Sequence, residues 1–367
     1  MRFSFISCVI LFLYSNCVFS QKAELKVQNL TCEYLSNPIA IENPAPKLSW
    51  QIKSLSNSTI QSAYSILVAS SVELLKQNKG DYWTSGKINA NTSTHITYKG
   101  KPLTSRTKLY WKVQVWDNHN NSAWSPVNEW AMGLLKPEDW KGKWIGAFEN
   151  PYPDSAITYP SPFFRKEFTV KKAIKKATVY VSGLGFYELM LNGKKVGDQV
   201  LAPAVTNYDK RPLRHLLYPY DDQSTQRVLY NTFEVTKYLT AANNTIGMQL
   251  GNGWYNQRDR RVEGDMWYDA PKLIFQLELT YADGSTGIIS SDTSWKTSAG
   301  PLLHDGIFTG EKYDARLSFG NWAQNGFNDV HWKQALIVKI PTAKLHAQTA
   351  PFDKVMRTLK PGFDGKI

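Results

Sequence analysis

From Ala23 onward the apolar residues come in short extended runs separated by turn residues, and this pattern constrains the fold more than any single motif. In LYWKVQVWD (Leu109 to Asp117), Tyr110, Lys112, Gln114 and Trp116 share one face of a strand, while Trp111, Val113 and Val115 share the other. The second face is predicted to be the core face. SAYSILVAS (Ser62 to Ser70) and THITYKG (Thr94 to Gly100) carry β-branched and aromatic residues in the same partial alternation. Further on, ELMLNGKKVG (Glu188 to Gly197) places Asn192-Gly193 between two strands, where both turn residues need positive φ. LIFQLELTYADGSTGIISSD (Leu273 to Asp292) alternates Phe275, Leu277, Leu279 and Tyr281 up to an Asp283-Gly284 turn. FEVTKYLTAANNTIGMQLGNGW (Phe233 to Trp254) predicts strand, short helical turn, strand.

Strands at this spacing predict an all-β chain, with a fibronectin/immunoglobulin-like β-sandwich over 24–135 and a second β-rich domain over 136–340. Between them KPEDWKGKWIG (Lys136 to Gly146) holds two tryptophans, which predicts a packed connector rather than a loose one. Residues 341–367 read as the start of a further β domain, cut short.

The first twenty residues have one cation at Arg2, an apolar stretch from Phe3 to Tyr14 and small residues before Gln21, the pattern of a secretory signal cleaved after Ser20. Lipid anchoring at Cys17 is the alternative. Cleavage removes Cys8 and Cys17 and leaves Cys32, so the secreted or periplasmic chain forms no internal disulfide and no Cys-based zinc site. A net charge of +12 invites a nucleic-acid reading. The cations are spread along the chain with no nucleic-acid motif, so the charge is assigned to solvated surface and to attraction toward acidic polysaccharide or lipid headgroups. No membrane span is expected.

Each reaction class needs recognisable parts, and most are missing. The histidines His95, His119, His215, His304, His331 and His346 form neither HExxH nor HxH, and there is no GxSxG elbow or phosphate loop. Gly183-Leu184-Gly185 lacks the third glycine and the helix of a dinucleotide site. Carboxylates occur in clusters (Glu263, Asp265 and Asp269; Asp221 and Asp222), but spacing alone puts no pair across a sugar.

Sugar binding has the better case, because rings stack on aromatic faces while amides, carboxylates and guanidinium groups take hydroxyls. The loop GNGWYNQRDRR (Gly251 to Arg261) brings Asn252, Trp254, Tyr255, Asn256, Arg258 and Asp259, and TNYDKR (Thr206 to Arg211) adds Tyr208 and Asp209. The competing reading is structural: Trp254 and Tyr255 cap the sandwich core, and Asn192-Gly193 only turns a hairpin. Calcium is a candidate ion, with oxygen donors at Asn192, Asp198, Asp209 and Asn252.

Several motifs together resemble the N-terminal part of bacterial α-L-rhamnosidases of glycoside hydrolase family 78. They are VQNLTCEYLSNPIAIENPAPKLSWQI (Val27 to Ile52), YWKVQVWDNHNNSAWSP (Tyr110 to Pro126), DWKGKWIG, SGLGFYELMLNGKKVGD, NYDKR, GNGWYN and GEKYDARL (Gly310 to Leu317). The resemblance implies hydrolysis of terminal α-L-rhamnose by inversion, with one carboxylic acid protonating the leaving oxygen and a second carboxylate activating water. It places those carboxylates in an (α/α)6 barrel after the β domains, expected in cis beyond this chain, so no catalytic residue is assigned here. It also implies that the second domain, 136–340, is a jelly-roll, galactose-binding-like β-sandwich that binds rhamnose and contains calcium, with sugar contacts that include Asn192, Asp198, Asn252, Trp254 and Tyr255. Rhamnose-containing glycans are the implied partners. The alternative is a stand-alone secreted binding protein for rhamnose or polysaccharide.

Overall fold

The structure is a computed structural model that describes residues 25–148, 160–209, 226–257, 266–339 and 341–360. The signal segment 1–20 and the candidate side chains Asp221, Asp222, Arg258, Asp259, Glu263 and Asp265 lie outside the described residues.

Strands β1 (Lys26–Cys32) and β2 (Lys47–Lys53) pair antiparallel and, with Ile96–Thr97, form a three-stranded sheet. It faces a five-stranded sheet centred on β3 (Gln61–Ala69) and β4 (Lys108–Asp117). Trp111, Val113 and Val115 are fully buried between the sheets with Trp50 and Trp130, as the alternation of β4 requires. Each such side chain contributes on the order of 2 kcal/mol through burial. On the opposite face Lys112 is buried as well, because its ammonium lies over the Trp124 ring at 4.2 Å and donates to Asn78 Oδ1 at 2.6 Å. Cys32 is the free cysteine among the described residues, and burial, then the neighbouring Glu33 carboxylate, pushes its thiol far above the ordinary range.

The second sandwich is built from β5 (Pro162–Thr169), β6 (Ile174–Leu184), β7 (Phe186–Leu191), β8 (Arg227–Glu234), β9 (Asn243–Gly251), β10 (Lys272–Tyr281) and β11 (Lys344–Ala347) with shorter strands at the edges. One sheet runs Lys194–Lys195, β7, β9, β5, Lys296–Ala299, Lys333–Gln334. The other runs Leu336–Ile337, Ile145–Gly146, β10, β6, β8, β11, with Thr286–Ser290 also paired to β10. Their inner faces meet in one core, with Phe164, Leu189, Ile246 and Met248 from the first sheet and Val179, Val181, Phe275 and Leu277 from the second. A 3-10 turn at Thr236–Tyr238 joins β8 to β9 in the predicted strand, helical turn, strand order. Residues 341–360, read as the start of another domain, lie on this sandwich: β11 pairs parallel with β8, and Asp353 and Lys354 meet Val200 and Gln199. A parallel pairing over so long a connection leaves no local mark in a sequence.

The alternation of β10 predicts one polar face, yet Gln276 is as buried as Phe275 and Leu277. The cause is the seam between the sandwiches. The Lys136–Gly146 connector packs over β10, so that Gln276 accepts from the Lys141 amide and donates to the Asp139 carbonyl. From the first sandwich Arg106 donates through Nε and Nη2 to Glu278 of β10 and through Nη1 to Asp139. Tyr230 Oη of β8 accepts from the Leu134 amide, and a Cβ on Gly133 would stand 2.3 Å from that hydroxyl. Glu42 grips β11, with Oε1 accepting from the Ala347 amide and Oε2 facing His346 Nδ1, each at 2.9 Å.

Candidate functional site

β9 ends at Gly251, and the chain turns through Asn252, Gly253 and Trp254 into a short pair, Asn256–Gln257 with Met266–Trp267. Glycine is required at two places here. Gly185, between β6 and β7, has φ +104 and would put a Cβ 2.0 Å from the Gly251 carbonyl oxygen; Gly253 has φ +50. The Gly183-Leu184-Gly185 bend is thus the close backbone approach that seats this loop.

Asn252 is buried at the centre of a polar network. Its backbone N–H donates to Asp305 Oδ1 at 2.7 Å, its Nδ2 to Asp305 Oδ2 at 2.9 Å, and its Oδ1 accepts from Asn256 Nδ2 at 2.6 Å. Ser161 donates to the same Asp305 carboxylate. Beside it Tyr208, Tyr255 and Tyr268 form a cluster, Tyr255 and Tyr268 stacked at 5.4 Å and Tyr208 edge-on to both. Burial, and after it the Asp269 and Asp209 carboxylates, hold the Tyr255 phenol well above its usual value. Trp254 is half-buried and meets the exposed ring of Phe308 edge-on at 5.7 Å. Asp209 accepts from the Thr342 hydroxyl. Gln257 is 1% exposed, and neither its amide oxygen nor its nitrogen has a hydrogen-bond partner among the described residues.

Of the predicted positions, then, the fold brings Tyr208, Asp209, Asn252, Trp254 and Tyr255 together. Asn192 and Asp198 are elsewhere. Phe186 pairs with Gly251 and Leu191 with Ile246, so the Asn192 turn sits at the other end of the β7–β9 ladder, about 20 Å from Asn252. There Asn192 has φ +51 and Gly193 φ +76, the tight turn that Asn-Gly predicts. Its side chain donates to the Tyr238 carbonyl and Asn244 Oδ1 and accepts from the Thr245 amide. Asp198 is exposed and pairs with Lys354 at 2.9 Å; that ammonium's hydrogen bond holds its carboxyl below the usual range.

The candidate calcium donors Asn192, Asp198, Asp209 and Asn252 therefore do not converge. Among the described residues no three carboxylate, imidazole or thiol side chains come together as a metal site. No helix among these residues is long and apolar enough to cross a membrane. Asp305, Ser161, Tyr268 and Gln257 belong to the site but escape sequence reasoning. Asp305 lies in an unremarkable segment, LLHDGIF, and only the fold carries it 53 residues back to Asn252.

Comparison with known proteins matches two family descriptions. The α-L-rhamnosidase N-terminal domain model matches residues 172–221 and 213–357, and the Rha78A-like N-terminal immunoglobulin domain model matches 27–136. An α-L-rhamnosidase of Formosa agariphila is 35% identical over 95% of this chain and 38% of its own length. One from Alteromonas sp. (strain LOR) is 35% identical over 81% of the chain and 31% of its own. The chain thus spans well under half the length of these relatives. Among solved structures, the α-L-rhamnosidase from Dictyoglumus thermophilum superposes with TM-score 0.77 at 36% identity, covering 89% of this chain and 35% of that one. The Streptomyces avermitilis α-L-rhamnosidase complexed with L-rhamnose shares the fold, with TM-score 0.80 at 22% identity over 91% of this chain and 47% of its own.

Proposed function

This chain belongs to the family of α-L-rhamnosidase N-terminal domains, and from that premise we propose that it is the non-catalytic N-terminal portion of a secreted enzyme that removes terminal α-L-rhamnose from plant glycosides or polysaccharides by inversion. Inversion requires two carboxyl groups roughly 6.5–9.5 Å apart across the sugar, one as acid and one as base toward water. Those groups are assigned to a domain beyond this chain. Here the sandwiches serve as a scaffold locked at its seam, and the loop end of the second sandwich is the sugar-contacting face, with Trp254 at its surface beside Asp209 and with Tyr208, Tyr255 and Asn252 buried beneath it as support.

The observation that carries the sugar-binding part is Gln257. A buried amide with nothing to bond costs about 1–3 kcal/mol, a penalty that a ligand hydroxyl beside an aromatic cluster would relieve. The Trp254 and Phe308 rings supply the apolar surface a sugar's C–H face needs.

Two measurements test the proposal. The purified chain, offered an aryl α-L-rhamnoside, is expected to release no rhamnose; measurable turnover would show that it carries its own catalytic carboxylates. In affinity electrophoresis through a rhamnose-rich polysaccharide, the chain is expected to be retarded and Trp254→Ala to run freely. Equal mobility of the two would remove the loop from the sugar-contacting face. Secretion is checked by fractionating the native cells, with the chain expected outside the cytoplasm and lacking residues 1–20.

A further inference from the structure

A second concave surface lies at the seam, separated from the tyrosine cluster by the segment 206–209. Tyr208 turns into the cluster, while Thr206 lines a cleft of about 480 Å³ between the two sandwiches. Its apolar lining is Ile41 of the first sandwich and Leu229 and Ala347 of the second, of which Leu229 is the partly exposed one. Its walls are polar, with Arg227, Glu33 and His346. Its volume lies in the range of about 300–1,000 Å³ common to small-molecule sites, and its mostly polar lining suits a ligand rich in hydroxyls.

The walls are fixed in place yet keep free bonding capacity. Arg227 is held by its backbone, its N–H donating to the Asn207 carbonyl and its own carbonyl accepting from the Thr206 hydroxyl. Its guanidinium is exposed and has no partner among the described residues. Glu33 binds the Lys47 amide and the Asn43 side chain through Oε1 alone, which leaves Oε2 open. His346 uses Nδ1 on Glu42, so Nε2 is open too. Glu33 and Tyr34 occupy a two-residue turn with φ +50 and +67, a conformation that Asn and Gly adopt far more readily. Such strain is kept where the geometry serves a site, and this turn carries Glu33 to the cleft lining.

We propose that this cleft is a second saccharide-binding site, distinct from the loop face, which takes a neutral sugar through its hydroxyls on Arg227, Glu33 and His346, with Leu229 as the apolar contact. The Arg227 guanidinium can span a pair of vicinal hydroxyls, and Glu33 Oε2 accepts from a further one. A uronate fits less well, because Glu33 and Glu42 stand against one arginine in the same cleft.

The test titrates L-rhamnose and D-galactose calorimetrically into the full chain and into Trp254→Ala, Arg227→Ala, Glu33→Gln and the Trp254→Ala/Arg227→Ala pair. Arg227 is exposed, so its replacement is expected to leave the melting temperature unchanged. Trp254→Ala is expected to keep sugar binding in the cleft, the double variant to lose it, and Glu33→Gln to weaken it about tenfold. The proposal fails if neither sugar gives heat up to about 100 mM, where even a millimolar site saturates. It fails also if Trp254→Ala alone removes all binding, a result that leaves the loop reading standing. Should Arg227→Ala remove all binding while Trp254→Ala changes nothing, the cleft stands and the loop reading falls.

Discussion

The two ends of the β7–β9 ladder are built from the same residue types and do different things. At one end Asn192-Gly193 forms a turn in which both amide hydrogens of Asn192 and its oxygen are used within the protein. At the other, Asn252-Gly253 opens a loop whose asparagine is buried on a carboxylate, beside stacked tyrosines and an amide with no partner among the described residues. An Asn-Gly pair flanked by strands is a sound turn signal. Whether the asparagine is also available to a ligand depends on how many of its bonds the fold has already used. Both asparagines have their side-chain groups bonded within the protein, so the loop end is set apart by its surroundings, the partly exposed Trp254 and Phe308 rings and the unpartnered Gln257 amide, and not by residue type.

The largest effect is expected at the loop end. Asp305→Ala would strand the Asn252 amides and the Ser161 hydroxyl, each buried, and is expected to cost about 3 kcal/mol in urea denaturation and to abolish retention on polysaccharide. Asn192→Ala is expected to cost less, about 1–2 kcal/mol, through a strained turn and lost bonds to Tyr238 and Asn244, with retention unchanged. If Asn192→Ala removed retention while Asp305→Ala kept it, the two ends would have exchanged roles.

Gln257→Leu sharpens the contrast, because it removes an unpaired buried amide: stability is expected to rise by about 1 kcal/mol while sugar retention falls. A loss of stability instead would show that the amide is satisfied in solution. Alkali should act on the same end. Tyr255 has its folded pKa raised, so its contribution is complete below the unfolded tyrosine pKa of about 10 and is lost as pH rises beyond it. Stability is therefore expected to fall above about pH 10, and less steeply in Tyr255→Phe, measured by denaturant midpoints across that range. The smallest effect belongs to the hairpin end: Asp198→Asn breaks an exposed pair with Lys354 and should leave the thermal midpoint unmoved.

Much of this architecture was legible in the chain. Alternation in β4 marked Trp111, Val113 and Val115 as core, and the two hairpin signals and the helical turn between β8 and β9 stand where their residues put them. These are local properties, since side-chain direction has period two and a positive φ selects asparagine and glycine within a few residues. The burial of Gln276, the seat of β11 beside β8 and the seam held by Arg106 were not legible, because each depends on groups far apart in sequence. The same division runs through the candidate site. Its aromatic and amide residues announced themselves in GNGWY and NYD, as did the family to which the chain belongs. That Asp305 would reach Asn252, that Asn192 would be used up in its own turn, and that Glu33, Arg227 and His346 would face one cleft were decided by tertiary packing, which alone determines which polar groups are satisfied and which are left for something else.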